Sequence, residues 1–241
     1  MRWRSVSKVL IGIQARSGST RLPRKAYELI GGRMMMDRVL EIGKAASKSI
    51  TSNGRFSATL AILTPVGDSI ATDFRSRGAE IVQGPEEDVL ARYACAVKAY
   101  DPDWIIRITG DCPMLPPNVV NSVFHLAVKN GYDYISNADE RCRTSMDGTD
   151  CEVISRRMFD HVAREAKTDH DREHVTPFCR REPPHWATVG VVIAHFDLSG
   201  LKYSVDTPED LARVRAAHEQ AYAKYQEACG VYGFGKVHRI A

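Results

Sequence analysis

Residues 9–25 of the sequence read VLIGIQARSGSTRLPRK, and this stretch decides the fold. Its first part, Val9–Ile13, has the length and composition of a buried strand, and it is too short for the apolar core of a secretory signal. The polar part that follows holds one glycine, three hydroxyl side chains and four cations. A buried strand that runs directly into such a loop is typical of open α/β sheets, which bind ligands at the carboxyl ends of their strands.

Downstream of this loop, short apolar runs alternate with longer amphipathic segments. The pattern predicts strands over 9–14, 58–63, 80–82, 104–109, 132–136 and 186–194, and helices over 35–47, 68–77, 86–100, 117–130 and 208–227. Such alternation favours one Rossmann-like α/β domain over residues 1–241, with a mostly parallel sheet and helices on both faces. The alternation stops between residues 138 and 184. We expect this polar stretch to leave the sheet as a lid or a dimerisation arm.

Composition excludes several classes of protein. The chain has 241 residues, of which 44% are hydrophobic and 26% charged, as in soluble globular proteins with a full core. A net charge of +3 is too balanced to indicate binding to nucleic acid or to an anionic membrane surface. An apolar run of membrane-spanning length is absent from the sequence. The 6 cysteines never fall at CxxC spacing, which predicts neither a zinc site nor a disulfide framework and favours the cytoplasm.

The loop after the first predicted strand carries the groups that bind polyphosphates. Gly18 allows a close approach of the backbone, and the hydroxyls of Ser17, Ser19 and Thr20 are hydrogen-bond partners for phosphate oxygens. The cations are Arg16, Arg21, Arg24 and Lys25. Neither the Walker A pattern nor the GxGxxG dinucleotide fingerprint is present in this loop. A basic loop that is merely solvated is the alternative.

Two carboxylates at the ends of predicted extended segments are candidate Mg²⁺ ligands. Asp111 follows the strand that ends RITG, and Asp206 ends the segment YSVD. Mg²⁺ prefers oxygen ligands and usually bridges to substrate phosphates, so the pair makes a better site than either acid alone. In the alternative interpretation, Asp111 stabilises a turn before Pro113, and Asp206 or Thr207 caps the last helix.

The polar excursion holds candidates for binding an acceptor substrate. The segment HDREH, residues 170–174, has two histidines four positions apart, but it lacks the glutamate that directly follows the first histidine in zinc hydrolases. We expect it to face the acceptor or a partner subunit, or simply to cap and solvate a helix. The candidates here are Arg172, Glu173 and His174. Asp150 and Glu152 alternate on one face of an extended segment, where they bind sugar hydroxyls or are merely exposed.

Taken together, these motifs resemble those of the cytidylyltransferases that activate acidic sugars, the group that contains the KDO and acylneuraminate enzymes. The opening signature QARSGSTRLPRK is similar to theirs. The segments most similar to the spore coat polysaccharide, SpsF-type branch are GPEEDVLARY, RITGDCPMLPP, residues 147–153, DREHVTP and YSVDTPEDL. The resemblance extends from about Val9 to about Arg215. It implies a glycosyltransferase-A-like sheet, CTP as the nucleotide, Mg²⁺ as the cofactor and a homodimer.

The resemblance also implies roles for individual residues. The residues expected to bind or border the nucleotide are Ala15, Arg16, Ser17, Gly18, Ser19, Arg21, Lys25, Gly84, Asp88, Arg92, Thr109 and Gly110. Arg16, Lys25 and Asp111 would take part in catalysis, and Asp111 and Asp206 would hold the metal. The segment Thr64–Gly67 departs from the polar pair that relatives commonly carry there, and this departure concerns the pocket for the base.

Residues and resemblance together predict a Mg²⁺-dependent transfer of CMP from CTP to a sugar or sugar acid, with release of pyrophosphate. A glycosyltransferase that consumes a nucleotide-sugar is one alternative. Such enzymes usually carry Asp-x-Asp after the metal-binding strand, whereas the triplet Asp101-Pro-Asp103 precedes it here. A non-catalytic nucleotide-binding subunit is the other, and the presence of Lys25, Asp111 and Asp206 argues against it.

Overall fold

The computed structural model of the protein describes residues 6–230 and 234–239. In chain order its strands are β1 (Ser7–Gln14), β2 (Leu29–Ile30), β3 (Arg33–Met34), β4 (Phe56–Pro65), β5 (Glu80–Gly84), β6 (Trp104–Thr109), β7 (Tyr134–Ser136), β8 (Glu152–Ser155), β9 (Val189–Ala194) and β10 (Phe234–Arg239). The strands β2 and β3 form a separate hairpin, and the others form one sheet in the order β10-β9-β7-β8-β6-β1-β4-β5. Strands β8 and β10 are antiparallel to their neighbours, and the remaining neighbouring pairs in this sheet are parallel.

Helices cover both faces of the large sheet. They are α1 (Met35–Thr51), α2 (Ser69–Arg75), α3 (Val89–Tyr100), α4 (Pro117–Asn130), α5 (Arg156–Glu165), α6 (Asp169–His174), α7 (Pro177–Arg181) and α8 (Pro208–Gly230). One hydrophobic core joins the sheet to α1, α2 and α4, and a second core joins it to α3, α5 and α7. The prediction of a mostly parallel α/β sheet with helices on both faces is therefore confirmed.

Strand β1 shows why an unbroken apolar run forms the centre of this sheet. Val9, Ile11 and Ile13 face the first core, and Leu10 faces the second, so both sides of the strand are covered. All four side chains are at most 2% exposed. Burying a side chain of this kind contributes about 1.5–3 kcal/mol, which favours placing the run between two helical layers.

The segment 138–184 differs from the prediction, because part of it belongs to the sheet. Strand β8 lies between β6 and β7 and pairs with both. Its apolar side chains Val153 and Ile154 pack into opposite cores, while its acidic residue Glu152 faces Arg107 on β6. An antiparallel strand of four residues, which follows a polar loop and runs directly into α5, gives no alternation long enough to recognise. A role for the rest of this segment as a lid or dimerisation arm stays a prediction.

The other element predictions agree closely with the structure, with differences at the ends. Helix α3 begins at Val89 rather than at residue 86, because the Asp88 side chain accepts a hydrogen bond from the Ala91 amide at 2.8 Å and caps the helix. Neither the hairpin β2–β3 nor strand β10 was predicted. Among the residues described, no helix is both long and apolar enough to span a membrane.

Candidate active site

A pocket opens where β1 and β6 end, side by side. The chain continues from β1 to β4 on one side and reaches β6 on the other side, so this is a topological switch point, where open α/β sheets bind ligands. The Gly110 amide donates a hydrogen bond to the Gln14 carbonyl at 2.8 Å. A Cβ on Gly110 would lie only 3.0 Å from that of Ala15. Glycine therefore lets the segment that carries Asp111 lie directly against the first loop.

Cations and acids line the pocket in equal number. The cations are Arg16, Arg21, Lys25 and Arg92, and the acids are Glu86, Asp111, Glu173 and Asp206. A pocket built only for anions would carry an excess of positive charge. The mixture suits a ligand that brings phosphates for the cations together with a metal ion or hydroxyl groups for the carboxylates.

Lys25 joins the two predicted metal-ligating acids. Its ammonium nitrogen lies 3.1 Å from Asp111 Oδ2 and 3.1 Å from Asp206 Oδ1, and it donates a hydrogen bond to the Val205 carbonyl at 2.7 Å. Arg21 makes a second ion pair with Asp206, at 3.1 Å. Burial by itself would lower the pKa of Lys25, but the two carboxylates raise it. The lysine is therefore firmly protonated at neutral pH.

The side chain of Asp111 is held in place by its neighbours. The Thr109 hydroxyl donates a hydrogen bond to Asp111 Oδ1 at 2.5 Å, and the Val205 amide donates to the Asp111 carbonyl at 2.9 Å. Burial alone would raise the pKa of Asp111, but the Lys25 ammonium and the Thr109 hydroxyl lower it. Asp111 is thus an ionised carboxylate in a fixed orientation.

Asp206 faces Lys25 because another residue caps the last helix. The Thr207 hydroxyl accepts a hydrogen bond from the Asp210 amide at 3.3 Å, and the Asp210 carboxylate accepts from the amides of Asp206 and Thr207, each at 3.1 Å. This is a reciprocal capping box. Of the two capping residues that the sequence left open, Thr207 caps α8, and the side chain of Asp206 is available to the pocket.

The first loop brings most of its predicted residues to the pocket. Ala15, Arg16, Ser19, Arg21 and Lys25 line it, and so does Thr20. Ser17 and Gly18 do not. The Ser17 amide instead donates a hydrogen bond to Asp68 at 2.7 Å, and Asp68 also caps α2 through the Ile70 amide. This contact fixes the loop against α2.

The predicted nucleotide-binding residues of the other segments divide in the same way. Thr109, Gly110 and Arg92 line the pocket, whereas Gly84 and Asp88 do not. Arg92 is only 1% exposed, and its guanidinium donates hydrogen bonds to the carbonyls of Pro85 and Glu86. A Cβ on Gly84 would lie 3.0 Å from the Arg92 Cα, so glycine permits this close packing. Arg92 thus shapes the segment that carries Glu86.

Among the predicted acceptor-binding residues, the structure places Glu173 on the pocket wall. His174 is an exposed neighbour, and Arg172 makes an ion pair with Asp88 at 2.6 Å. Asp88 was predicted to border the nucleotide and Arg172 to bind the acceptor, but in the structure the two side chains bind each other. This contact ties α6 to the start of α3, beside Glu86.

Asp150 and Glu152 do not share an exposed strand face. Glu152 is 4% exposed and makes an ion pair with Arg107, while Asp150 pairs with Arg143. Burial raises the pKa of Asp150 to about 7, against the lowering effect of Arg143. Both carboxylates already have a cationic partner, and neither lines the pocket.

Some residues that shape the site were missed from the sequence. Glu86 lies within a quoted motif, but nothing in its spacing distinguishes it from its neighbour Glu87. Asp68 is 51 residues from the amide that it anchors, which makes the contact invisible to local pattern. The contact between Asp210 and the Asp206 amide could have been predicted from the sequence, because Thr-x-x-Asp before an apolar run resembles a capping box.

The residues present fit a substrate-bridged divalent metal. Asp111 and Asp206 direct carboxylate oxygens to one cationic nitrogen, so their charges already converge on a single point. Within the described ranges, no cluster of three or more His, Cys, Asp or Glu side chains forms a metal site. Mg²⁺ is commonly held by one or two carboxylates together with substrate phosphates and water, which is the donor set available here.

Fold and pocket together define an α/β enzyme of the nucleotidyltransferase class. The chain belongs to the cytidylyltransferase family, whose model matches residues 10–229, and it is therefore a nucleotidyltransferase that uses CTP. Over 221 residues it is 27% identical to the spore coat polysaccharide biosynthesis protein SpsF of Bacillus subtilis (strain 168), with 90% of this chain and 88% of that protein covered. The resemblance noted from the motifs is thus confirmed.

Solved structures share the fold. A cytidylyltransferase from Leptospira borgpetersenii has a TM-score of 0.76 at 23% identity, with 96% of this chain and 100% of that chain covered. For CMP:2-keto-3-deoxy-manno-octonic acid synthetase in complex with CTP, the TM-score is 0.66 at 18% identity and the coverage 89% and 99%. Rv0371c from Mycobacterium tuberculosis H37Rv, in complex with manganese, has a TM-score of 0.55 at 16% identity and coverage of 88% and 98%.

Proposed function

We propose that this cytidylyltransferase transfers CMP from CTP to a hydroxyl group of a sugar or sugar acid, with release of pyrophosphate. The product would be an activated precursor of a polysaccharide or glycoconjugate. The observation that carries the proposal is the convergence of Lys25, Asp111 and Asp206 in a pocket whose first loop supplies further cations. The names of the SpsF relative and of the octonic acid synthetase support the sugar class.

The chemical step requires positioning and charge neutralisation rather than a protein nucleophile. An oxygen of the acceptor hydroxyl attacks the α-phosphorus of CTP and forms a new P–O bond. The bond between the α-phosphorus and the oxygen that bridges to the β-phosphorus breaks, and pyrophosphate leaves with the electron pair. The hydroxyl proton passes to solvent. Arg16, Arg21 and Lys25 would bind the phosphates and stabilise the charge that develops on the leaving group.

Asp111 and Asp206 would hold a Mg²⁺ ion beside these phosphates. When bound, the ion would polarise phosphoryl oxygens and neutralise part of their charge. The manganese complex of a fold relative supports the use of a divalent metal. Thr109 and Asp210 serve this role indirectly, since they orient the two carboxylates.

The acceptor would enter from the side of α6. Glu173 is the acceptor candidate on the pocket wall, and its carboxylate would accept hydrogen bonds from sugar hydroxyls. His174 would extend this surface, and Arg172 would hold α6 in position through Asp88. Asp150 and Glu152, each paired with an arginine, would support the site without touching the substrate. A homodimer located in the cytoplasm completes the proposal.

A screen for pyrophosphate release tests this function. The four nucleoside triphosphates are each incubated with sugars, sugar acids and sugar phosphates, with Mg²⁺ or with EDTA. We expect release only with CTP, an acceptor and Mg²⁺ together. Asp111→Asn is the inactive control, and Glu87→Gln, which removes an exposed acid outside the pocket lining, is the matched active control.

Other outcomes would replace the proposal by a named alternative. Activity with a nucleotide-sugar and none with any triphosphate would identify a glycosyltransferase. Tight binding of CTP without turnover across a wide acceptor panel would indicate a nucleotide-binding subunit. Turnover with UTP in place of CTP would retain the reaction and refute the choice of base.

A further inference from the structure

The cations of the first loop are already paired with the carboxylates that would hold a metal. Lys25 contacts both Asp111 and Asp206 at 3.1 Å, and Arg21 contacts Asp206 at the same distance. Lys25 differs from Arg21 in its surroundings, since its side chain is 14% exposed against 65% for Arg21. The Lys25 ammonium is thus a largely buried counterion of both acids.

A divalent cation bound by both acids would occupy the space between Asp111 and Asp206 that the Lys25 ammonium now fills. An ammonium group and a metal ion only a few ångströms apart repel each other, and partial burial weakens the screening by water and salt. The Val205 carbonyl accepts a hydrogen bond from Lys25 at 2.7 Å and further stabilises the ammonium group in this position. Metal and lysine therefore compete for one position.

A triphosphate offers Lys25 a different set of partners. Phosphate oxygens form strong charge-assisted hydrogen bonds with ammonium groups, and Lys25 lies in the loop that is directed at the nucleotide pocket. If the ammonium turns to the phosphates, Asp111 loses the cation that it pairs with, and Asp206 keeps only the more exposed Arg21 and Lys202. Both carboxylates then become available to a metal ion.

We propose that Lys25 controls metal binding at this site. Its ammonium group blocks divalent cations in the nucleotide-free enzyme, and it releases Asp111 and Asp206 when CTP binds. The blocking half of this inference concerns the nucleotide-free protein alone, and the release half rests on the proposed function. Linkage requires that CTP and metal then strengthen each other's binding by the same factor. The enzyme would assemble its metal site only around a bound triphosphate.

The test is the titration of nucleotide-free protein with Mn²⁺, followed by electron paramagnetic resonance of the free ion. Lys25→Gln removes the positive charge of the ammonium group. Mn²⁺ should therefore bind roughly tenfold or more tightly than to the unaltered protein, because a like charge beside the metal is lost. Lys25→Arg keeps the charge and should leave binding weak. Arg24→Gln is the matched control, since exposed Arg24 stacks on Tyr27 and contacts neither carboxylate in the described structure.

Several outcomes would overturn the inference. These are no gain of Mn²⁺ affinity in Lys25→Gln, an equal gain in Arg24→Gln, or no Mn²⁺ binding in any variant. Arg21→Gln removes one cationic partner of Asp206 and none of Asp111, so it should give a smaller gain in Mn²⁺ affinity. This variant provides the test if Lys25→Gln does not fold. A non-hydrolysable CTP analogue should then abolish the advantage of Lys25→Gln, and a persistent advantage would refute the release step. Failure of the proposed function would appear instead in the pyrophosphate screen, because the first titration contains no nucleotide.

Discussion

Arg107 of β6 and Glu152 of β8 lie directly opposite each other on antiparallel strands, and their largely buried side chains form an ion pair on one face of the sheet. The Tyr134 hydroxyl donates a hydrogen bond to Glu152 at 2.7 Å, and Arg107 donates to the Gln14 side chain at 3.2 Å. Gln14 lines the pocket. The ion pair therefore connects the middle of the sheet with the active site, and it explains how a charged residue is accommodated in β8.

Breaking this pair should destabilise the protein strongly. Arg107→Met leaves the Glu152 carboxylate buried without its cation, and such changes cost about 3–5 kcal/mol. The double variant Arg107→Met, Glu152→Leu removes both charges and should recover a large part of that loss. Urea unfolding followed by circular dichroism measures both values. A single variant as stable as the unaltered protein would show that the pair contributes little.

Asp210 should make the stability of the fold decrease as the pH falls into the acid range. Burial would raise the pKa of Asp210, but hydrogen bonds from Lys202, Arg213 and the Asp206 amide lower it well below its usual value. A depressed folded-state pKa means that the stabilisation is complete above the unfolded pKa of about 3.9 and is lost as the pH falls towards the folded value. Asp210→Asn should therefore lower the Tm at pH 7, and the difference should narrow at pH 3. A difference that is constant with pH would contradict this assignment.

The sequence predicts best those features that are encoded locally. The apolar run of β1 and the loop 15–25 are recognisable because burial on both faces and a cluster of cations each leave a pattern within a few residues. Helix α4 was placed without error, since its proline start and its helical spacing agree. The carboxyl-end rule then located the pocket on the correct side of the sheet.

Features that depend on distant partners were not predictable in the same way. Strand β8 is stable in the sheet because Arg107, 45 residues away, neutralises its glutamate. The pairing of Asp88 with Arg172 joins positions 84 residues apart. The resemblance assigned Asp88 to the nucleotide, and the polar segment 170–174 suggested Arg172 for the acceptor, so neither indicated that the two side chains meet. Lys25 and Asp206 are separated by 181 residues, so the sequence could propose each of them but could not show that they touch.

Replacing either metal-ligating candidate should abolish catalysis while preserving the fold. Asp111→Asn and Asp206→Asn each remove one charge with little change of volume at the rim of the sheet. Turnover should fall by about 100-fold or more, since a charge-stabilising group next to the phosphates is lost. Pyrophosphate release measures turnover, and circular dichroism checks the fold. Full turnover of Asp111→Asn with unchanged Mg²⁺ dependence would rule out this role.

Lys25 and Arg24 give a direct comparison of two adjacent cations. Lys25→Ala should lower kcat/KM by an amount equivalent to about 2 kcal/mol or more, because a charge-assisted contact to phosphate is lost. Lys25→Arg should lose less, since the charge remains. Arg24→Ala should be mild, because Arg24 is exposed and its guanidinium lies over the Tyr27 ring. Small and equal effects at the two positions would support a merely solvated loop.

Nucleotide binding should depend on the β- and γ-phosphates. We expect the protein to bind CTP with Mg²⁺ more tightly than CMP. Arg16, Arg21 and Lys25 would contact the β- and γ-phosphates of CTP, and CMP lacks both of these groups. Calorimetric titration with CTP, UTP, CMP and a nucleotide-sugar, each with and without Mg²⁺, measures this preference. Removing Mg²⁺ should weaken CTP binding more than CMP binding, since Asp111 and Asp206 would then repel the larger negative charge.

The same titration series isolates the assignment of the base. Strand β4 ends at Pro65 and is followed by Val66 and Gly67, and the buried Thr64 hydroxyl has no hydrogen-bond partner in the described structure. The phosphate contacts would be identical for CTP and UTP, so any difference between their affinities must arise from the base. Tighter binding of CTP would show that the base is selected when the nucleotide binds. Equal affinities would mean that binding does not distinguish the two bases. A preference for UTP would contradict cytosine recognition while leaving the phosphate and metal contacts intact.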